Sequence, residues 1–156
     1  LNAELIWPAA LSLLLVLGPV SDIRDRRLPN WLSLALLLLG LAYGYSQGSF
    51  ATLGWHGAHA AIALVVGMAL FAAGIIGGGD AKFYAGLAAY FPLGQGLTLL
   101  LWVSLTAIVA IIIWLGMRRI LRSSPIDKES LHAKFPYGVA ITGGGLWVAW
   151  SSFLAA

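Results

Sequence analysis

Six apolar stretches, separated by short polar breaks, make up most of the 156 residues. The first runs from Ala3 to Val20 and ends at "SDIRDRRLPN". The second, Trp31 to Tyr45, ends at "SQGS", and the third, Gly57 to Ile76, ends in three consecutive glycines. A short fourth covers Ala81 to Tyr90 and a little beyond, stopped by Pro92 and Gly94. The fifth and sixth run from Leu97 to Met117 and from Pro136 to Ala156. Apolar runs of this kind predict membrane-crossing helices. The fourth is the exception in length, because about 14 residues rising about 1.5 Å each fall short of a ~30 Å hydrocarbon core. The pattern predicts an all-α, polytopic membrane protein of about six transmembrane helices in a single domain, residues 1–156, with no internal repeat.

Composition agrees: 60% of the residues are hydrophobic, 10% are charged and the mean hydropathy is +0.90. An ordinary soluble domain is roughly 25% charged. The nine basic residues are Arg24, Arg26, Arg27, Lys82, Arg118, Arg119, Arg122, Lys128 and Lys134. With six crossings all nine fall on one face and none on the other. By the positive-inside rule that face is cytoplasmic and both termini are outside. If residues 81 to 117 crossed only once, Arg118, Arg119 and Arg122 would land on the opposite face, so the charges support two crossings there. The net charge of +3 therefore reads as orientation in a membrane, and nucleic acid is not an expected partner. The first run has no basic leader and no A-x-A site, and reads as a span rather than a signal peptide. In the last cytoplasmic loop, Ser124, Pro125 and Asp127 fit the start of a short surface helix.

Against this background "IIGGGDAKFY", residues 75 to 84, is costly. Three glycines forfeit roughly 3 kcal/mol of helix propensity, and a carboxylate deep in hydrocarbon costs about 2.5 to 3.5 kcal/mol. Six crossings place Asp80, after the third span, at the same depth and on the same face as Asp22, at the end of the first. Two carboxylates brought close in a partly dry site cannot both ionise easily. One keeps a proton, and the pair can work as acid and base on a water molecule. Interfacial aspartates also simply cap helices or balance arginines. That reading suits Asp22, near Arg24, Arg26 and Arg27, better than Asp80, because it leaves the glycines unexplained. Gly77, Gly78 and Gly79 would let a backbone bend or an extended substrate pass closely. Gly74 and Gly78 also fit small-xxx-small helix packing.

Three segments carry a resemblance to a known family. "GGGDAKFYAGLAAYFPLG" resembles the second active-site segment of the type IV prepilin peptidases, membrane aspartyl proteases of the GxGD class, with Phe83 where Leu is usual. "DIRDRRLPN" resembles the first, in which an aspartate is followed seven residues later by Pro and then Asn or Asp. That spacing selects Asp22, with Pro29 and Asn30, over Asp25. "FPYGVAITGGG" resembles the P-Y-G-x-A segment of the last span. The resemblance implies an endopeptidase that removes the short basic leader of prepilins or pseudopilins at the cytoplasmic face of the bacterial inner membrane. Asp22 and Asp80 would be catalytic, with Gly77, Gly78, Gly79, Lys82, Pro29 and Asn30 along the substrate path or supporting the site. No metal or organic cofactor is implied. Longer members add paired C-x-x-C motifs that bind zinc, and they methylate the new amino terminus. This chain has no cysteine and resembles the short members that serve Flp-type (Tad) pili.

Other residues read more simply. Lys82 could tune the two carboxylates, hold a substrate carboxylate or snorkel to the interface. Asp25 is expected to pair with the adjacent arginines and Asn30 to cap the second span. His56 and His59, three residues apart in "WHGAH", have a spacing compatible with metal but only Glu4 as an acidic neighbour on that face, and a loop or interfacial role is expected. Trp7, Trp31, Trp55 and Trp147 suit interface anchoring. A small ion-coupled transporter or channel would also use membrane aspartates, but near the midplane rather than at span ends. A pilus-assembly subunit without catalysis is the third reading.

Overall fold

The computed structural model describes residues 3–25, 28–120 and 137–155. A single 3₁₀ turn (Ala3–Leu5) leads into α1 (Ile6–Asp25), followed by α2 (Asn30–Ser46), α3 (Phe50–Ala72) and α4 (Gly78–Ala88). A second 3₁₀ turn (Leu93–Gln95) opens α5 (Gly96–Ile120), and α6 (Tyr137–Leu154) closes the described chain. The fold is all-α, with no strand among the described residues. Ile6–Arg24, Phe50–Ala72 and Leu93–Met117 are long and apolar enough to cross a membrane, and α2 is a shorter apolar helix. The expected surface helix at Ser124, Pro125 and Asp127 lies outside the described residues.

Neighbouring helices alternate in direction. Gly67 of α3 faces Ala81 of α4, while His56 near the start of α3 reaches Ala89 at the end of α4. α1 and α6 are antiparallel too: Thr142 Oγ1 donates to the Leu15 carbonyl at 2.8 Å, and Trp150 Nε1 to Ser12 Oγ at 3.0 Å. This up-and-down course brings Asp22, Leu28, Asp80 and Tyr137 to one end of the bundle. Glu4, Gln47, Pro92 and Phe153 gather at the other. Of the described basic positions, Arg24, Lys82, Arg118 and Arg119 belong to the carboxylate end.

The shortest helix is the most enclosed. α4 has 11 residues, about 16 Å at the usual helical rise, and packs against α2, α3 and α6. Its small residues allow this. A methyl on Gly86 would sit 2.6 Å from the Ser33 carbonyl oxygen, and one on Gly40 would sit 2.4 Å from the Ala89 backbone. Helices meeting in a membrane gain van der Waals contact through such small residues. Phe83, fully buried, lays its ring against Gly18 of α1, where a methyl would come within 2.4 Å of the ring tip. The space left by Gly18 thus accommodates the phenyl group.

His56 and His59 are buried on α3, not in a loop. Their Nδ1 atoms lie 2.8 Å and 2.9 Å from the carbonyl oxygens of Ala89 and Phe91. They therefore bind the backbone that leaves the C-terminus of α4, where carbonyls lack helical partners. No group of His, Cys, Asp and Glu suited to a metal ion occurs among the described residues. Outward-facing Leu13, Val65 and Ile112 are largely exposed, as expected of a surface that meets lipid rather than water.

Candidate active site

The end of α3 sets the position of α4. Gly74 has φ +73°, in the left-handed region that costs glycine least. Its N–H bonds the Phe71 carbonyl at 2.9 Å, and the Ile75 N–H bonds the Leu70 carbonyl at 3.0 Å. This double bond pattern is a Schellman stop. The stop places Gly74 outside α3 and Gly78 inside α4, so the two do not form a small-xxx-small pair on one helix.

Gly77 then caps α4 in extended conformation, with φ −75° and ψ 145°. Asp80 stands three residues on, where a carboxylate can reach back to the capping residue's N–H. The Gly77 backbone N–H donates to it. A methyl on Gly77 would lie 2.6 Å from Asp80 Oδ2, so a side chain there would displace the carboxylate from this position. Methyls on Gly78 and Gly79 would press at 3.3 Å on the Phe71 ring and on Leu28 Cβ. Each of the three glycines thus answers an internal contact, and none of them lines the neighbouring apolar groove, where Ile76 and Asp80 do.

Asp22 lies in the last turns of α1, at the negative end of that helix's dipole. What holds it is α6: the Gly138 N–H, in that helix's first turn, donates to Asp22 Oδ2 at 3.1 Å. A methyl on Gly138 would crowd the same oxygen at 3.2 Å. Each half-buried carboxylate is therefore seated on the N-terminus of a different helix, Asp80 on α4 and Asp22 on α6. Free N–H groups and the positive end of the dipole favour an anion there.

The two carboxylates act on each other. Burial pushes the Asp80 carboxyl up to about 6, the negative charge of Asp22 pushes in the same direction, and the Gly77 N–H opposes both. Asp80 lies at the polar end of the bundle, ahead of the apolar stretch that begins at Ala81. As pH falls through about 6, Asp80 takes up a proton and the site comes to hold one neutral carboxyl beside a second carboxyl group.

Pro29 and Asn30 complete the rim. Pro29, not Asn30, is the N-cap of α2, and no side chain caps that helix. Asn30 is its first residue, and its Oδ1 accepts a hydrogen bond from Lys82 Nζ at 3.2 Å, at an exposed position. The reason is geometric: Pro29 already has the extended φ and ψ of a cap, and the Asn30 amide turns outward to the lysine. Lys82 is accordingly tied to the α1–α2 junction. Asp25 closes α1, and its pairing with the arginines lies outside the described side chains.

Sequence reasoning overlooked Leu28 and Gly138. Leu28 packs between Gly79 and Gly138, with would-be methyl contacts of 3.3 Å and 3.5 Å, and so joins all three sequence segments. The signal for Gly138 was present in "FPYGVAITGGG", since a Pro-x-Gly run opening a helix offers free N–H groups. Nothing in the sequence marks Leu28.

A groove of about 400 Å³ opens beside the carboxylates between α3 and α5. Asp80, Tyr84 and Tyr137 line one end of it. No curated protein and no solved structure matches the chain. The sequence model of the Type IV leader peptidase family matches residues 9–115, which include Asp22, Pro29, Asn30, the three glycines, Asp80 and Lys82. A paired-carboxylate site in an all-α membrane bundle and a match over more than half its length together establish that this chain belongs to the Type IV leader peptidase family, whose members are aspartic endopeptidases.

Proposed function

We propose that the protein is the multi-pass endopeptidase of a bacterial inner membrane that removes the leader from Flp-type prepilins or pseudopilins at the cytoplasmic face. Asp22 and Asp80 are the catalytic pair. The observation that carries this reading is the seating of two mutually acting carboxylates, each on its own helix N-terminus, at the same end of the bundle. That end also carries the described basic residues, which supports its assignment to the cytoplasm.

In the proposed cycle Asp80, whose carboxyl is raised toward neutrality, serves as the acid that polarises the scissile carbonyl. Asp22 in its carboxylate form removes a proton from the attacking water. The Gly138 N–H keeps the Asp22 carboxylate oriented, and the Gly77 N–H does the same for Asp80. The proton taken from water then passes to the leaving amine. Lys82 and Asn30 fix the junction of α2 and α4 beside the pair.

The test is cleavage of a co-expressed Flp-type prepilin, read as a gel shift. Asp22→Asn and Asp80→Asn are each expected to abolish processing, whereas Asp25→Asn retains it, with all three accumulating normally. Near wild-type processing by either of the first two removes that residue from catalysis. A wild type that processes no prepilin overturns the substrate assignment.

A further inference from the structure

The α3–α5 groove has a shape that catalysis alone does not call for. α3 packs on α2 and α4, and α5 on α6, with no comparable packing between α3 and α5. Yet both helices turn an apolar stripe into the gap. On α3 it consists of Ile62, Ala63, Val66 and Leu70; on α5, of Leu97, Leu100 and Val103. Ile62, Val66 and Leu70 recur every four residues, with Ala63 beside them, and Leu97, Leu100 and Val103 every three, which makes each stripe one helical face. The stripe on α3 runs from His59 at one end to Leu70 beside Asp80, about 11 residues or ~17 Å of helix. Two facing apolar stripes left open offer a surface into which a third helix can pack. Inside a bilayer a peptide in such a groove must be helical, because its backbone has no water to bond.

We infer that the α3–α5 groove is the docking site for the substrate's own apolar helix, which enters sideways from the bilayer and delivers its amino-terminal end to Asp80. The inference rests on the leader-peptidase reading and adds where the retained part of the substrate is held. Continuity with Asp80 identifies the occupant. A chain lying in the groove ends at the carboxyl that polarises the bond to be cut. The groove accepts apolar side chains, so it takes the roughly 11 residues that follow the cut, and the leader emerges at the basic end of the bundle. Tyr84 and Tyr137 flank Asp80 at the mouth, where the chain leaves its helix and extends for cleavage. Val66 and Leu100, midway along the stripes, set the fit and therefore act as specificity determinants distant from the chemistry.

The experiment compares two adjacent positions on α3. Val66 lines the groove, whereas Val65, 70% exposed, faces away from it. In purified enzyme acting on a full-length prepilin, Val66→Trp and Leu100→Trp are expected to raise KM about tenfold or more with kcat within about twofold. Val65→Trp leaves both unchanged. As a readout independent of turnover, a photoreactive residue at 66 in the Asp80→Asn protein crosslinks the prepilin's apolar segment, and the same residue at 65 does not. Equal KM for the Val65 and Val66 variants, with equal crosslinking, overturns the groove assignment while leaving the peptidase reading intact. Crosslinking to lipid alone from position 66 also overturns it, and assigns the groove to an acyl chain. If the unsubstituted enzyme cleaves no prepilin, the substrate assignment falls and the groove assignment with it.

Discussion

At the scale of single residues, the site depends on where side chains are missing. Gly77 gives the Asp80 carboxylate room to fold onto its own helix cap; a methyl there would sit 2.6 Å from Oδ2. Gly77→Ala is therefore expected to lower kcat between about tenfold and a hundredfold with little change in KM, since small displacements of a catalytic group cost on this order. Steady-state kinetics on purified enzyme checks it, and an unchanged kcat removes the positioning role. Asp80 also sets a pH dependence. Its carboxyl is raised to about 6 by burial and by Asp22, so its protonated form is present below that pH and is lost as pH rises through it. kcat/KM is expected to fall on the alkaline side of about pH 6; a profile flat from pH 5 to 8 contradicts the assignment of Asp80 as the acid. The resemblance of "DIRDRRLPN" and "GGGDAKFY" to the family's segments singles out Asp22 and Asp80 in the sequence, because those segments are local. The grip of Gly138 on Asp22, across 116 residues of sequence, is a tertiary contact that no local pattern encodes. The same holds for Leu28, an ordinary loop leucine until α4 and α6 close around it.

At the scale of helices, α4 explains the architecture. It is too short to fill the bilayer, and its stability comes from enclosure by α2, α3 and α6 and from His56 and His59 at its C-terminal carbonyls. Gly86→Ala tests the close contact with α2. Alanine gains about 1 kcal/mol of helix propensity, but its methyl would meet the Ser33 carbonyl oxygen at 2.6 Å. Overpacking in a tight core costs about 1 to 3 kcal/mol. A lowered unfolding midpoint in detergent is the expected outcome, and a raised one would mean that α2 and α4 are farther apart than described. The helix pattern was legible in outline: apolar runs located each α-helix among the described residues. Their ends were less so. α1 continues to Asp25, well beyond the run that stops at Val20, because a helix carries polar residues out of the apolar zone without breaking. α3 begins at Phe50, seven residues before the Gly57 start of its run, since Ser49 caps it and accepts a hydrogen bond from the Thr52 N–H at 3.1 Å. The metal-like spacing of His56 and His59 was ambiguous in sequence. Only the arrival of the α4 terminus beside them shows that both serve as backbone partners.

At the scale of the whole molecule, alternating helix directions gather Asp22, Asp80 and Gly138 at one end and leave an open apolar groove at their side. The proposed orientation puts that end in the cytoplasm. Because the chain has no cysteine, single cysteines can map it cleanly. Gln47→Cys, in the exposed α2–α3 turn, is expected to react with a membrane-impermeant maleimide in intact cells, and Arg24→Cys only after permeabilisation; the reverse pattern inverts the protein. The central claim, that Asp22 and Asp80 act as one unit, is tested most directly by comparing Asp22→Asn, Asp80→Asn and the double variant for prepilin cleavage by equal amounts of purified, folded enzyme. Groups that act as a unit are strongly non-additive. The account predicts that each single substitution loses as much activity as the double one. Single losses that multiply to give the double, or a single variant that keeps substantial activity, would contradict it.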